Sequence, residues 1–264
     1  MKKLIAIFFV ALLAFGLAAC TEEQEPSYSY GYGVSYGLVH GHYVGIAKVV
    51  VDKDDKVVNV QFEEYYLPYN TAQIVLTDEQ KATLPADALA VVGARGTSYY
   101  AKYVSISGTL FTGTVSGASG AQSIKYSATG IADLEVWVET EANAKAYVEA
   151  VEAGLVFNAN ADGTKGSYPL ANANVKLGDT KSSTHYWTWN ATAGAYYPLG
   201  WGGNMKAIAE ALVGTTMNAT EAQLVKGTTT WSIGDITTSA TLSDFVDYYL
   251  LAQVAYNNAL AGKE

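Results

Sequence analysis

The strand-like segments of this chain are joined by short polar turns rather than by helices. Two Val-rich segments, 43–51 and 56–63, flank the turn DKDD. Segments 99–106 and 109–115 flank a Ser-Gly turn in the same way, and 123–127 is a further predicted strand. Turns this short join antiparallel neighbours. The chain therefore predicts an α+β fold with a mainly antiparallel sheet, not an alternating βαβ arrangement.

Apolar residues at helical spacing predict helices that pack on this sheet. A capping box at 77–80 opens a short helix, and residues 131–153 form a long one. A third is predicted to begin with Asn204 as its N-cap. The C-terminal helix is predicted to begin near Ser243 and to end at Gly262.

The N-terminus is similar to a lipoprotein secretion signal. Two lysines precede the apolar stretch 4–15, and residues 17–20 read LAAC. A signal of this type is cut before the cysteine, which then carries lipid. We therefore expect residues 1–19 to be removed, and lipid on Cys20 to anchor the protein at the extracytoplasmic face of the cell membrane.

Residues 20–37 are expected to comprise the lipidated cysteine and a flexible tether, because this stretch begins polar, acidic and poor in aliphatic side chains. The folded region is then 38–264. It is either one domain with a long insertion or two lobes, 38–154 and 155–264. The two-lobe alternative stays open because a Ser-Ala-Thr triplet at 127–129 is repeated before the C-terminal helix.

The charge balance argues against a nucleic-acid partner. The chain has 16 basic and 25 acidic residues, and its formal net charge is −9. Removal of residues 1–19 would take away two lysines and no acid. No basic stripe is present, and Arg95 is the only arginine. An acidic protein of this kind is expected to contact the membrane through its lipid alone.

Residues 235–241 read DITTSAT and lead into the predicted C-terminal helix. The segment resembles the flavinylation motif of FMN-binding domains, Asp-x-x-Ser/Thr-Gly/Ser-Ala-Thr. This family includes the FMN-carrying subunits of sodium-pumping NADH:quinone reductase and of Rnf complexes. It also includes lipoproteins of extracellular electron transfer in Gram-positive and wall-less bacteria. Ser239 is a departure, since many members have Gly at that position.

The resemblance implies that FMN is attached through a phosphodiester bond to the hydroxyl group of Thr241 by a dedicated flavin transferase. The small side chain of Ala240 leaves the approach to Thr241 open, and Ser239 and Thr238 are small enough for the backbone to come close to the transferase or a flavin. Asp235 is expected to be recognised mainly by the transferase.

The helix that follows the motif is also suited to a phosphate. A helix start presents unpaired N–H groups and the positive end of the helix dipole, both of which favour an anion. The alternative interpretation is an ordinary capping segment, in which Thr241 or Ser243 is the N-cap and Asp244 lies in the first turn.

Among the aromatic side chains, Trp201 is the strongest candidate for stacking on a flavin ring. Gly200, Gly202 and Gly203 surround it, and glycines allow the backbone to approach a flat ligand closely. The alternative is that Trp201 is a plain core residue, which is the commoner role of aromatic side chains.

Other site chemistry has less support. His40 and His42 lack the third His or the Cys that a structural metal site would need, so no metal is predicted. Glu63 and Glu64 are adjacent on a strand and should point to opposite faces, which prevents shared acid–base catalysis. The sequence contains neither a P-loop nor a nucleophile elbow, and no catalytic residue is predicted.

Together these features predict a membrane-anchored extracytoplasmic flavoprotein that carries covalent FMN for electron transfer. Its expected partners are the flavin transferase, a membrane electron donor and an external electron acceptor. It would be a redox carrier more than a self-contained enzyme, with an extracytoplasmic reductase as a weaker alternative. The competing hypothesis is a non-redox surface lipoprotein, either an adhesin or the binding component of a transporter.

Overall fold

The structure, a computed structural model, describes residues 29–171, 175–188 and 198–263. The predicted lipidation site at Cys20 and the first part of the predicted tether lie outside these residues. Within them, every strand pairing is antiparallel and the helices pack on the sheets, which confirms the predicted α+β class.

The described residues contain twelve strands and six α-helices. The strands are β1 (Gly31–Val39), β2 (Tyr43–Val51), β3 (Val57–Tyr66), β4 (Ala88–Gly93), β5 (Gly96–Ala101), β6 (Tyr103–Ile106), β7 (Thr109–Ser116), β8 (Ser123–Ser127), β9 (Val156–Ala159), β10 (Leu224–Lys226), β11 (Trp231–Ile233) and β12 (Ile236–Thr237). The α-helices are α1 (Pro68–Thr71), α2 (Asp78–Ala82), α3 (Leu134–Trp137), α4 (Glu141–Glu152), α5 (Gly200–Leu212) and α6 (Phe245–Ala261).

A three-stranded sheet in the order β1-β2-β3 lies between two hydrophobic cores. Successive residues of a strand point to opposite faces, so β2 contributes to both. Val49 and Val51 pack with helices α5 and α6. Val44 and Ile46 pack on the other side, with α4 and with strands β6 to β8. The C-terminal helices and the middle of the chain are therefore held to the same sheet.

The predicted hairpin of β2 and β3 is present. In its turn the Asp52 carboxylate accepts hydrogen bonds from the backbone N–H groups of Asp54 and Lys56, each at 2.9 Å. The second predicted hairpin is also present, as β6 and β7. The segment predicted as one strand over 99–106 is divided at Lys102, however, because β5 pairs with β4 and β6 pairs with β7 and β9.

The predicted tether is wrong for residues 31–37. These residues belong to β1, which pairs with β2 along its whole length. The glycines of this segment allow β1 to lie directly on helix α6. A Cβ atom at Gly33 would be 2.0 Å from the backbone oxygen of Ala255, and one at Gly31 would be 2.1 Å from that of Ala259. The glycines that lower the aliphatic content of this segment, and so suggest a tether, are therefore needed for the strand to pack on α6.

The long helix predicted over 131–153 is instead two helices, α3 and α4. Asp133 caps the first by accepting a hydrogen bond from the backbone N–H of Glu135 at 3.0 Å. The side-chain amide of Asn143 donates to the backbone oxygen of Trp137 at 2.8 Å, at the end of α3. This side-chain bond satisfies a carbonyl at the end of the helix, and Thr140 is the N-cap of α4.

The structure does not divide at residue 154. Strand β9, which follows that position, pairs with β6 in the same sheet as β7 and β8. Backbone bridges join Leu170 to Ile74 and Thr180 to Tyr65. Strand β9, Leu170 and Thr180 are thus bonded to the first half of the chain, which argues against 38–154 and 155–264 as two separate lobes.

Helix boundaries near the C-terminus also differ from the prediction. Helix α5 begins at Gly200, so Asn204 lies inside the helix rather than at its N-cap. Helix α6 begins at Phe245 and has Gly262 as its C-cap, as predicted. The capping box of α2 is confirmed, with hydrogen bonds between Thr77 and Gln80 in both directions.

Replacing Gly33 with Ala tests whether β1 belongs to the folded domain. The new Cβ would meet the Ala255 oxygen at 2.0 Å, so β1 and α6 must separate. We expect the free energy of unfolding to fall by about 1–3 kcal/mol or more, the usual cost of overpacking. Denaturant titration measures it, with Gly93→Ala as the control because its Cβ would have no neighbour nearer than 3.9 Å. Equal midpoints for the two variants would contradict the packing of β1 on α6.

Candidate functional site

The DITTSAT segment spans the turn between β11 and β12, strand β12 and the residues that follow it. Asp235 lies in the turn and is exposed, and Ser239 is exposed as well. Thr238 and Ala240 are buried, and Thr241 is partly buried. The motif therefore contains buried side chains, which anchor it in the core, and exposed side chains, which are accessible from solvent.

Asn204 of helix α5 fixes the end of the motif. Its Oδ1 atom accepts hydrogen bonds from the backbone N–H of Thr241 at 2.6 Å and of Leu242 at 3.2 Å. Its Nδ2 atom donates to the Gly200 oxygen at 2.6 Å. Asn204 is only 1% exposed, so these bonds satisfy a buried amide. Sequence reasoning assigned Asn204 to a helix cap and missed this role.

Trp231 of β11 holds the same segment from the other side. Its indole N–H donates to the Leu242 oxygen at 2.7 Å, and its ring stacks on Phe245 with centroids 5.1 Å apart. The backbone of Trp231 bonds to Thr238 and Ala240. The motif backbone is thus tied to a strand, to helix α5 and to the start of α6.

Helix α6 begins without a side-chain cap. Asp244 occupies the N-cap position and makes no capping hydrogen bond, and the Ser243 hydroxyl donates to its carboxylate at 3.1 Å. The ordinary capping interpretation is therefore wrong for both Thr241 and Ser243. A phosphate placed at this helix start would also meet the Asp244 carboxylate, which weakens the expectation that the first-turn N–H groups hold it.

A cavity of about 200 Å³ lies beside the motif, between helices α5 and α6 and the turn that joins β1 to β2. Two residues next to Thr241 line this cavity. They are Asn204, which is hydrogen-bonded to Thr241, and Leu242, which follows it in the sequence. The remaining lining is mainly aromatic and basic. It consists of Tyr43, Tyr186, Trp201, Tyr248, Lys181 and His40, together with Gly200 and Asp244.

Trp201 lines this cavity as an almost fully packed side chain. It is 9% exposed, and its indole N–H lies 3.0 Å from Glu64 Oε1 and 3.1 Å from the Tyr248 hydroxyl oxygen. Its ring meets that of Trp187 edge-on, with centroids 5.7 Å apart. A Cβ at Gly202 would lie 2.5 Å from the Trp187 ring. Gly202 therefore makes room for Trp187, not for a ligand.

Sequence reasoning missed a buried carboxylate at the centre of the site. Glu64 of β3 is completely buried. Its Oε2 atom is 2.6 Å from Lys181 Nζ, and its Oε1 atom is 3.3 Å from His40 Nε2 and also accepts from the Tyr248 hydroxyl group. With Trp201, the carboxylate thus joins four separate segments of the chain.

One signal in the sequence does point to Glu64. The side chains of β3 alternate, and Glu63 faces outward to the exposed Ser182, which confirms that the two glutamates point to opposite faces. Glu64 then falls on the same face as Val60 and Phe62, which pack in the core. A charge on an apolar face requires a partner, but the sequence does not show which lysine supplies it.

The surroundings of Glu64 keep it ionised. Burial alone would raise the pKa of the Glu64 carboxyl group, but Lys181 and His40 outweigh burial and hold the pKa well below its usual range. Burial and the nearby Glu64 charge raise the pKa of Tyr248 and of Tyr43. The hydroxyl groups of Tyr248 and Tyr43 therefore remain protonated donors at neutral pH.

No protein-family model matches the chain, and searches of curated proteins and of solved structures find no match. Within the described ranges, no three His, Cys, Asp or Glu side chains converge as a metal site. No helix in this part of the chain is long and apolar enough to cross a bilayer.

Glu64→Gln tests the ion pair through its pH dependence. Because the folded-state pKa of Glu64 is lowered, its stabilising effect is present above the unfolded value of about 4.3 and is lost as the pH falls from there toward the folded pKa. At pH 7 the variant should lose about 3–5 kcal/mol of unfolding free energy, since Lys181 stays buried without its partner. The stability of the variant should also depend less on pH than that of the wild type below the unfolded pKa of about 4.3.

Glu63→Gln is the matched control, because it changes the neighbouring, partly exposed carboxylate on the opposite face of β3. Denaturant titrations at several pH values measure both variants. If Glu64→Gln and Glu63→Gln cost the same at pH 7, the Glu64–Lys181 pair does not stabilise the fold as described.

Proposed function

We propose that this protein is a membrane-anchored extracytoplasmic flavoprotein that carries FMN on Thr241 for electron transfer. The observation that carries the proposal is how Thr241 is held. Its backbone N–H is fixed by Asn204 at 2.6 Å, whereas its hydroxyl group has only a 3.3 Å contact with the same oxygen. Thr241 is partly exposed, and a side chain on a fixed backbone would stay in one place after modification.

The covalent step needs an activated flavin phosphate. The Thr241 oxygen forms a bond with the phosphorus of FMN and loses its proton. A phosphoanhydride of FMN such as FAD supplies the activated phosphate, and AMP leaves when the anhydride bond breaks. Ser239 and Asp235, the exposed members of the motif, are accessible to the flavin transferase, while Thr238 and Ala240 keep the segment anchored.

The residues next to Thr241 are compatible with a flavin. The cavity offers the aromatic side chains of Tyr43, Tyr186 and Trp201 and the ammonium group of Lys181. FMN, when attached, supplies one- and two-electron redox chemistry, and the protein supplies attachment, contact surface and charge. A covalent cofactor suits an extracytoplasmic carrier because a dissociable one would be lost by diffusion.

The lipid anchor and the redox partners complete the proposal. Lipid on Cys20 would hold the domain at the membrane surface, within reach of a membrane electron donor such as a dehydrogenase or quinol. An external acceptor would take the electrons. The support for the anchor is the basic start, the apolar stretch and the LAAC sequence at 17–20.

Coexpression of the protein with a flavin transferase tests the attachment site. We expect one FMN-derived mass on the peptide that contains Thr241, and denatured, washed protein that stays yellow. Thr241→Ala should abolish both and cost less than about 1 kcal/mol of stability, because the hydroxyl group makes only one long contact. Thr241→Ser should retain the attachment, and Thr237→Ala is the control within the same segment. An FMN mass that persists in Thr241→Ala would contradict the assignment, and a colourless wild type would favour the non-redox lipoprotein.

Cys20→Ala tests the anchor separately. Without the thiol group that receives lipid, the protein should stay unprocessed or appear in the soluble fraction. Membrane fractionation and the mass of the mature N-terminus measure this. Normal cleavage and unchanged membrane partitioning of the variant would rule out lipidation at Cys20.

A further inference from the structure

The cavity next to Thr241 lies where a group attached to Thr241 could bind. Leu242, which follows Thr241, lines the cavity, and so does Asn204, whose side chain bonds to the Thr241 backbone. A group on the Thr241 oxygen therefore begins within one residue of the cavity rim.

The size of the cavity favours part of a ligand over a whole one. Its volume is about 200 Å³, below the roughly 300–1,000 Å³ of sites that enclose a complete small molecule. A tethered cofactor needs less enclosed space, because its phosphate and linker can remain at the rim. The aromatic walls formed by Tyr43, Tyr186 and Trp201 suit a flat ring.

In the Glu64–Lys181 ion pair, the positively charged group is the one that lines the cavity. Lys181 lines the cavity, whereas its partner Glu64 lies behind it and does not. The Lys181 ammonium group is also 4.1 Å from the centroid of the Tyr43 ring. The other ionisable side chains that line the cavity are His40, Asp244 and the three tyrosines, Tyr43, Tyr186 and Tyr248. Lys181 is only 8% exposed, so its charge is screened less than that of the partly exposed Asp244.

We propose that this cavity takes the isoalloxazine ring of the FMN attached at Thr241, and that Lys181 faces the ring and raises its reduction potential. The inference rests on the proposed function and adds the position of the ring and the role of Lys181. Lys181 is a positioning and tuning residue, held in place by Glu64.

The effect of Lys181 follows from charge balance. Uptake of two electrons from the membrane donor and one proton from solvent leaves one net negative charge on the ring system. A buried ammonium group beside the ring stabilises that charge more than the neutral oxidised form. The Lys181 ammonium group therefore favours reduction of the ring, and the reduction potential should be more negative without Lys181.

Lumiflavin, the ring without its ribityl phosphate, tests the cavity independently of covalent attachment. We expect lumiflavin fluorescence to be quenched when it binds the unflavinylated protein, because the ring contacts aromatic side chains. Lys181→Met alone would leave the buried Glu64 carboxylate without its ammonium partner, so the test uses the double variant Glu64→Gln/Lys181→Met. It removes both charges together, and we expect its affinity for lumiflavin to fall roughly tenfold or more. Lys206→Met, an exposed lysine on α5, is the control.

The flavinylated protein provides the second measurement. In the molecules of the double variant that carry covalent FMN, the midpoint potential should move to a more negative value, while Lys206→Met leaves the potential unchanged. Circular dichroism and thermal melting establish that the double variant is folded. If it is unfolded, Tyr43→Leu replaces it, with weaker lumiflavin binding and brighter attached flavin expected from loss of an aromatic wall.

Each outcome separates the two proposals. Covalent FMN on Thr241 with a potential and fluorescence that ignore the cavity variants would overturn the ring position and leave the attachment site intact. If the cavity variants bind lumiflavin as tightly as the wild type, the proposed ring position is also wrong. The same conclusion follows if the wild type does not bind lumiflavin. Weakened lumiflavin binding in a protein that never acquires covalent FMN would support the cavity and refute the proposed function.

Discussion

The candidate site depends on the interactions of one buried carboxylate, that of Glu64. An ionised carboxylate in an apolar interior costs several kcal/mol unless it is paired and hydrogen-bonded. Its partners are His40 in the turn between β1 and β2, Lys181 in the loop after β9, Trp201 on α5 and Tyr248 on α6. These segments must meet for the charge to be satisfied, and the cavity lies where they meet.

The central sheet determines where that meeting point can be. Strand β1 has glycines where it touches α6, so the helix backbone lies almost directly on the strand. This close contact fixes the axis of α6 against β1 and β2. The start of the helix, and the motif that precedes it, are then fixed at the same end of the sheet as Glu64. A bulkier side chain at Gly33 would move the helix and, with it, the motif and one wall of the cavity.

Local patterns predicted those parts of the structure that depend on local interactions. The hairpins of β2 with β3 and of β6 with β7, the capping box at Thr77 and the C-cap at Gly262 each involve residues close in sequence. The wrongly predicted tether depends on a distant contact, because β1 needs α6 for its packing. The partner of the Glu64 carboxylate at Tyr248 is 184 residues away. A sequence pattern shows that a buried charge needs a partner, but only the fold selects that partner.

The way the motif is held separates the fold from the proposed chemistry at Thr241. In an ordinary cap, the hydroxyl group itself satisfies the helix N–H groups, so its modification would cost the helix a cap. Here Asn204 and Trp231 hold the backbone of the segment, and α6 begins at Phe245 with an N-cap residue, Asp244, that makes no side-chain capping bond. The Thr241 hydroxyl group is therefore not needed for the start of the helix. Because the Thr241 hydroxyl group makes only one 3.3 Å contact, to Asn204 Oδ1, we expect that a covalent group on its oxygen would cost the fold little.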